Sequence, residues 1–195
     1  MKKKVKITFN SPVILILVLL CFIATLLGTI SYGQITQMLF MTYHSKLANP
    51  LTYVRFFTHI LGHANWEHFV GNASLLLLIG PLLEEKYGSK NILKSILLTA
   101  FVTGIVNYII FPNQGLCGAS GVVFAFIIMS SFTSFNNGEI PITFILVAIF
   151  FVGQQVYNGI TLNDNISYMA HIIGGIVGAL FGFHLNKKVS KHKGF

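Results

Sequence analysis

A chain of 195 residues that is 54% hydrophobic and only 9% charged, with a mean hydropathy of +0.74, is solvated mainly by lipid and belongs in a membrane. Its length suits one domain, taken as residues 1–195 with short basic tails at 1–10 and 186–195. The net charge of +8 could suggest nucleic acid, but the lysines sit at the ends of apolar runs, so membrane topology explains them and no nucleic-acid partner is expected.

The first apolar run, Val13 to Ile30, follows the basic stretch MKKKVK. It is longer than a typical secretory signal core, so a first span is predicted rather than a cleaved leader. Residues 33–65 are too rich in Met, Phe, Tyr and Leu for a solvated linker and are expected in the outer interface, partly as short amphipathic helices. Further spans are predicted at about His68 to Leu83, Ile92 to Phe111, Gly118 to Phe132, Ile142 to Val156 and Ile166 to Leu185. The expected fold is therefore an all-α membrane protein of six transmembrane helices, with an interfacial loop between the first two.

Charge orients these spans. Eleven of the thirteen basic residues lie in the termini, the connection after the second span and the start of the third; only Lys46 and Arg55 lie elsewhere. Both termini are expected to be cytoplasmic. The second, fourth and sixth spans then all start at the outer face, which places His68, Ser120 and His171 near one depth. For His171, about five residues into its helix, that depth is about 7 Å. Polar residues inside a bilayer are costly and are functional candidates by default.

Ser120 stands in GLCGASGVVFAF, where Gly118, Ala119 and Gly121 leave its hydroxyl unshielded. A small-residue run of this kind is also a common packing seam, and GxSG alone is a weak pattern. On the sixth span, His171, Gly174, Gly178 and Gly182 recur at three- and four-residue spacing, while the fourth offers Gly121 and Ala125. Two such faces can pack closely and bring the imidazole over the hydroxyl; they can equally be a structural glycine zipper.

Taken together, GASG at 118–121, AHIIGGIVG at 170–178 and HANWEHFVGN at 63–72 resemble the signature segments of rhomboid intramembrane serine proteases. Arg55 in YVRFFTHILGH and Glu84 before KYGSK match further positions of that pattern. The resemblance implies a buried Ser-His dyad without a third carboxylate, with Ser120 as nucleophile and His171 as general base and acid. It also implies oxyanion donation by His68 and Asn72, which lie four apart on one helical face, together with the Ser120 backbone N–H. A helix-to-helix hydrogen bond is the plainer use of Asn72. Transmembrane protein substrates and the bilayer are the partners implied, with no cofactor.

The sequence departs from the family pattern at two places. Val54 stands where a tryptophan often precedes the arginine, which bears on how the outer loop is anchored. Phe124 stands where a tyrosine is common; it can still stack on the histidine but lacks the hydroxyl.

Other polar residues have blander readings. His59 and His63 have HxxxH spacing, but there is no HExxH and no plausible carboxylate ligand, so no metal is expected. His63 is expected to brace the outer end of the second span, Asn107 to bond between helices, and Cys117 to be a packed bystander. His44, His184 and His192 look interfacial. Substrate is expected to enter sideways past the fifth span, whose FILVAIFFVG lacks polar anchoring. Two other classes stay open: a catalytically silent rhomboid-like protein that binds membrane clients, and a transporter or channel, although no duplicated halves are evident.

Overall fold

The computed structural model describes residues 9–134 and 165–192, together with isolated positions between 142 and 157. About half of the predicted fifth span, together with the acids Glu139 and Asp164, lies outside these residues. Every regular element among the described residues is helical, apart from one antiparallel bridge between Thr42 and Leu116.

Helix α1, Pro12–Ile30, opens with proline at its first position, where a missing N–H costs nothing. Its next two amides, Val13 N and Ile14 N, donate to the two carboxylate oxygens of Glu84 at 3.1 Å each. Ser89 Oγ donates to the same carboxylate at 2.7 Å. One buried acid thus satisfies the start of α1 and complements its dipole while tying it to the 84–89 stretch.

The segment between α1 and the next long helix contains α2, Gln34–Leu39, and α3, Pro50–Thr58. Asn49 caps α3 by accepting from Leu51 N at 3.0 Å. Arg55, buried on α3, gathers the loop by donating to Met38 O at 3.3 Å, Tyr43 Oη at 2.8 Å and Ser45 Oγ at 3.0 Å. Its guanidinium also lies 4.3 Å from the centre of the Tyr43 ring. Arg55 is therefore held although Val54, not a tryptophan, precedes it.

Helix α4, Trp66–Tyr87, starts at Asn65, whose side chain accepts from His68 N at 2.8 Å. It is longer than the predicted span at both ends. Asn65 starts the helix earlier than the hydropathy does, and Glu84 continues it because its charge is taken up by α1. Gly88, at φ +81°, then breaks the chain into α5, Ser89–Ile110.

Helix α6, Ser120–Ser131, is only twelve residues long and is the most enclosed, with Val122, Ala125 and Met129 fully buried. It packs against α4, α5 and α7, Asn165–His192. The α6–α7 seam is backbone against backbone. A Cβ on Gly174 would strike the Gly121 carbonyl, and one on Gly178 the Ala125 carbonyl. A Cβ on Gly182 would sit 2.6 Å from the Phe132 ring. The small-residue stripes expected from the sequence are therefore in direct contact.

Among the described residues, four stretches are long and apolar enough to cross a membrane: α1, α4, α5 and Tyr168–Asn186 of α7. The chain is a multi-pass membrane protein. Among the described residues α6 is a shorter apolar helix, too short to cross a full bilayer unaided.

Candidate active site

The turn before α6 is fixed from both sides. Thr42 and Leu116 exchange backbone hydrogen bonds of 3.0 and 2.9 Å, and Gly118 N donates to His59 O at 2.9 Å. Asn107 Nδ2 donates to Thr42 O at 3.1 Å and to Gln114 O at 3.3 Å. Asn107 was expected to bond between helices; it instead holds loop carbonyls, because irregular backbone is where unpaired acceptors are found.

Gly118 has φ +130°, and a Cβ there would lie 2.7 Å from His68 Cε1, 3.0 Å from His68 Nε2 and 3.8 Å from Asn72 Nδ2. Only glycine suits both the backbone angle and the close approach of those two side chains. The residue after it, Ala119, caps α6, so Ser120 is the first helical residue and its N–H has no intrahelical acceptor.

Ser120, His171, His68 and Asn72 all line one cavity of about 490 Å³. Helix α6 contributes Ser120 and Phe124 and α4 contributes His68 and Asn72, while His171 comes from α7. The rim includes Asn65 and Glu67, both exposed, whereas Ser120 and His171 are half-buried. The His171 ring lies on Phe124 with centroids 4.2 Å apart and planes 7° from parallel, and meets Tyr168 edge-on at 6.3 Å. Phe124 thus stacks as the sequence suggested, one helical turn below Ser120.

Asn72 is buried, and its Nδ2 has no hydrogen-bond acceptor among the described residues. A buried amide of this kind is costly unless a partner arrives. Its donor faces the crowded side of Gly118, beside His68, rather than a neighbouring helix backbone.

His68 is backed by His63, whose ring is 5.1 Å away and edge-on at 75°. His63 Nδ1 donates to Leu61 O at 3.1 Å and lies 3.4 Å from Thr25 Oγ1 of α1. It also packs edge-on against Phe69 at 5.6 Å, so it braces α4 as expected. Burial, with a smaller contribution from His68, pushes the His63 pKa down to about 4. His59 is fully enclosed and likewise lowered to about 4 by burial. Its Nδ1 donates to Arg55 O at 3.1 Å, and its Nε2 lies 3.2 Å from Thr103 Oγ1, which donates to Thr99 O at 2.7 Å.

Cys117 lies in the turn, with burial pushing its thiol up to about 11, so it is not a thiolate at neutral pH. Among the described residues no three His, Cys, Asp or Glu side chains cluster as a metal site. His44 is exposed and stacks on Tyr108 at 4.6 Å, and His184 is exposed on α7. The contacts of His63 with Thr25 of α1 and with the His68 ring had no signal in the sequence.

Residues 50–188 match the family model described as the Rhomboid domain. Rhomboid-related protein 1 of Caenorhabditis elegans is 31% identical over 148 residues, covering 71% of this chain and 42% of that protein. Rhomboid-related protein 2 of Mus musculus is 28% identical over 158 residues, covering 70% and 52%. Rhomboid protease GlpG of Haemophilus influenzae is 28% identical over 145 residues, covering 71% of this chain and 72% of the bacterial protein. The chain thus spans about half the length, or less, of the two animal relatives.

Proposed function

The chain belongs to the rhomboid family, and from that premise we propose that it is an intramembrane serine endopeptidase, cutting a peptide bond in or beside a transmembrane segment of another membrane protein. One observation carries the reading: Ser120, His171, His68 and Asn72, from three helices, share a single cavity whose mouth is exposed. Both termini lie on the cytoplasmic side of the cell membrane in this reading, which the lysine distribution supports.

Ser120 Oγ attacks the scissile carbonyl carbon as the neutral His171 imidazole takes its proton. The carbonyl oxygen becomes an oxyanion. Asn72 Nδ2, a ring N–H of His68 and the Ser120 backbone N–H donate to it, and the unpartnered Asn72 amide is already desolvated for that task. The positive end of the α6 dipole adds to the same field. His171 then delivers its proton to the leaving amine, and the C–N bond breaks to leave an ester on Ser120. Water, deprotonated by His171, attacks that ester and regenerates the serine. In place of a third carboxylate, the flat contact with Phe124 orients the imidazole.

Substrate enters sideways past the apolar 142–156 stretch. A transmembrane helix must lose local backbone hydrogen bonds to expose a peptide bond, so helix-weakening segments are preferred. The test is cleavage of a reconstituted single-span substrate. A Gly- or Pro-containing segment is cut and a polyleucine one is spared, with product absent for Ser120→Ala and His171→Ala. Equal cleavage of both segments would contradict the substrate preference, and cleavage by Ser120→Ala the mechanism. A folded wild type that cuts neither would favour the silent client-binding reading.

A further inference from the structure

A second cavity, of about 400 Å³ and sharing no lining residue with the candidate active site, opens between α1 and α5. Its floor is Leu17, Ile60 and Ile96, all buried, and its rim is Leu20, Leu93 and Leu97, all exposed. Phe57 and Leu61, at the end of α3 and just beyond it, close it at one end. That end lies near the middle of α1, because Cys21 Sγ contacts the Ile60 carbonyl at 3.6 Å. The cavity therefore occupies one leaflet's depth and stops near the bilayer centre.

The opposite end carries the charge. Val13 at the start of α1 lines the cavity and is bonded through Glu84 to Ser89 at the start of α5, so both helices begin at one level. Lys90, Leu93, Lys94 and Leu97 follow one another at helical spacing along one face of α5. The two leucines line the cavity and both lysines are exposed, with no hydrogen bond or ion pair among the described residues. Four more lysines, at positions 2, 3, 4 and 6, precede Val13 in the sequence.

An apolar slot one leaflet deep, open to lipid along its rim and ending in unpaired cations at the headgroup level, matches one kind of occupant. We propose that it binds an anionic glycerophospholipid of that leaflet, one acyl chain lying between α1 and α5 and the phosphate held by Lys90 and Lys94. A zwitterionic lipid fits the slot but lacks net charge for the lysines. The chain tip abuts Phe57, Ile60 and Leu61, in the segment joining Arg55 to His63, so the lipid also supports the piece of chain that leads into α4. The inference stands whether or not the chain is a peptidase.

The full chain, purified in mild detergent, is mixed with phosphatidylglycerol or phosphatidylcholine of the same acyl composition, and bound lipid is counted by native mass spectrometry. Phosphatidylglycerol should be retained more tightly, by roughly five-fold for each lysine engaged. Lys90→Gln with Lys94→Gln should remove that preference while leaving the helix content unchanged. Leu97→Trp, which fills the slot and keeps both charges, should lower retention of both lipids. Equal retention of the two lipids by wild type overturns the proposal. So does an anionic preference that survives in the double lysine variant, or retention unaffected by Leu97→Trp.

Discussion

The imidazole of His171 lies almost parallel to the Phe124 ring, 4.2 Å between centroids and 7° between planes, and the two residues come from different helices. Phe124 is fixed to α6, so the contact transfers the rigidity of the most buried helix to a side chain on α7. Phe124→Ala should lower kcat by about ten-fold, more than it raises KM, since its main effect is to free the base. Phe124→Tyr should keep the stack and most of the rate. Steady-state cleavage in detergent or liposomes measures both.

The three donors predict a graded loss. Asn72→Ala should lower kcat by about 100 to 1,000-fold, the usual cost of one oxyanion donor, and leave the protein folded. Removing a buried, unpartnered amide should not destabilise it, and a melting temperature equal to or above wild type is expected. A purely structural Asn72 would give the reverse pattern, with stability lost and the rate of the remaining folded enzyme preserved.

The α6–α7 seam has no room for side chains. Gly178→Val forces a Cβ into the Ala125 carbonyl and should cost about 1 to 3 kcal/mol or more as the helices part. Activity should fall with it. Gly71→Ala is the control, because Gly71 has open space where its Cβ would go; its melting temperature should stay close to wild type.

The paired helical stripes were legible before any coordinates, because close packing in a membrane leaves a periodic signature of small residues, here 121 and 125 against 174, 178 and 182. His68, Ser120 and His171, expected from the spans and charges to lie near one depth, line one cavity. Helix ends were less legible. Asn65 and Glu84 are polar, and hydropathy reads polar residues as span boundaries, whereas here one caps α4 and the other is consumed by α1. Gly118 also shortened α6, since a residue at φ +130° cannot be helical. The bonding of the α2–α3 segment to the α5–α6 turn left no trace, because it runs largely through main-chain groups that every residue carries.

Glu84 is predicted to matter for folding, not chemistry. Its carboxylate takes three hydrogen bonds from α1 and Ser89, so Glu84→Ala leaves buried amides unpaired and should cost about 1 to 3 kcal/mol. Glu84→Gln keeps an acceptor oxygen and should lose less. Thermal unfolding of the purified protein distinguishes the three; equal melting temperatures would contradict the assignment.

Stability should also depend on pH through His59 and His63. Both are held down to about 4 when folded, against about 6.5 when unfolded, so between those values the unfolded chain binds protons that the folded chain excludes. Stability is full above about pH 6.5 and is lost as pH falls toward 4, by at most about 1.4 kcal/mol per group per pH unit. Melting temperatures taken from pH 7.5 down to 4.5 should decline through this window, and less steeply in His63→Gln. A flat profile would show that neither ring is kept neutral by burial.

The central claim is that Ser120 is a nucleophile activated by His171, and covalent labelling tests it most directly. The folded protein is treated with a fluorophosphonate and the adduct is mapped by mass spectrometry. The account predicts a single phosphonylated residue, Ser120, with labelling abolished in Ser120→Ala and slowed at least 100-fold in His171→Ala. Unlabelled Ser120 in a folded preparation, or labelling at an unchanged rate without His171, would contradict it.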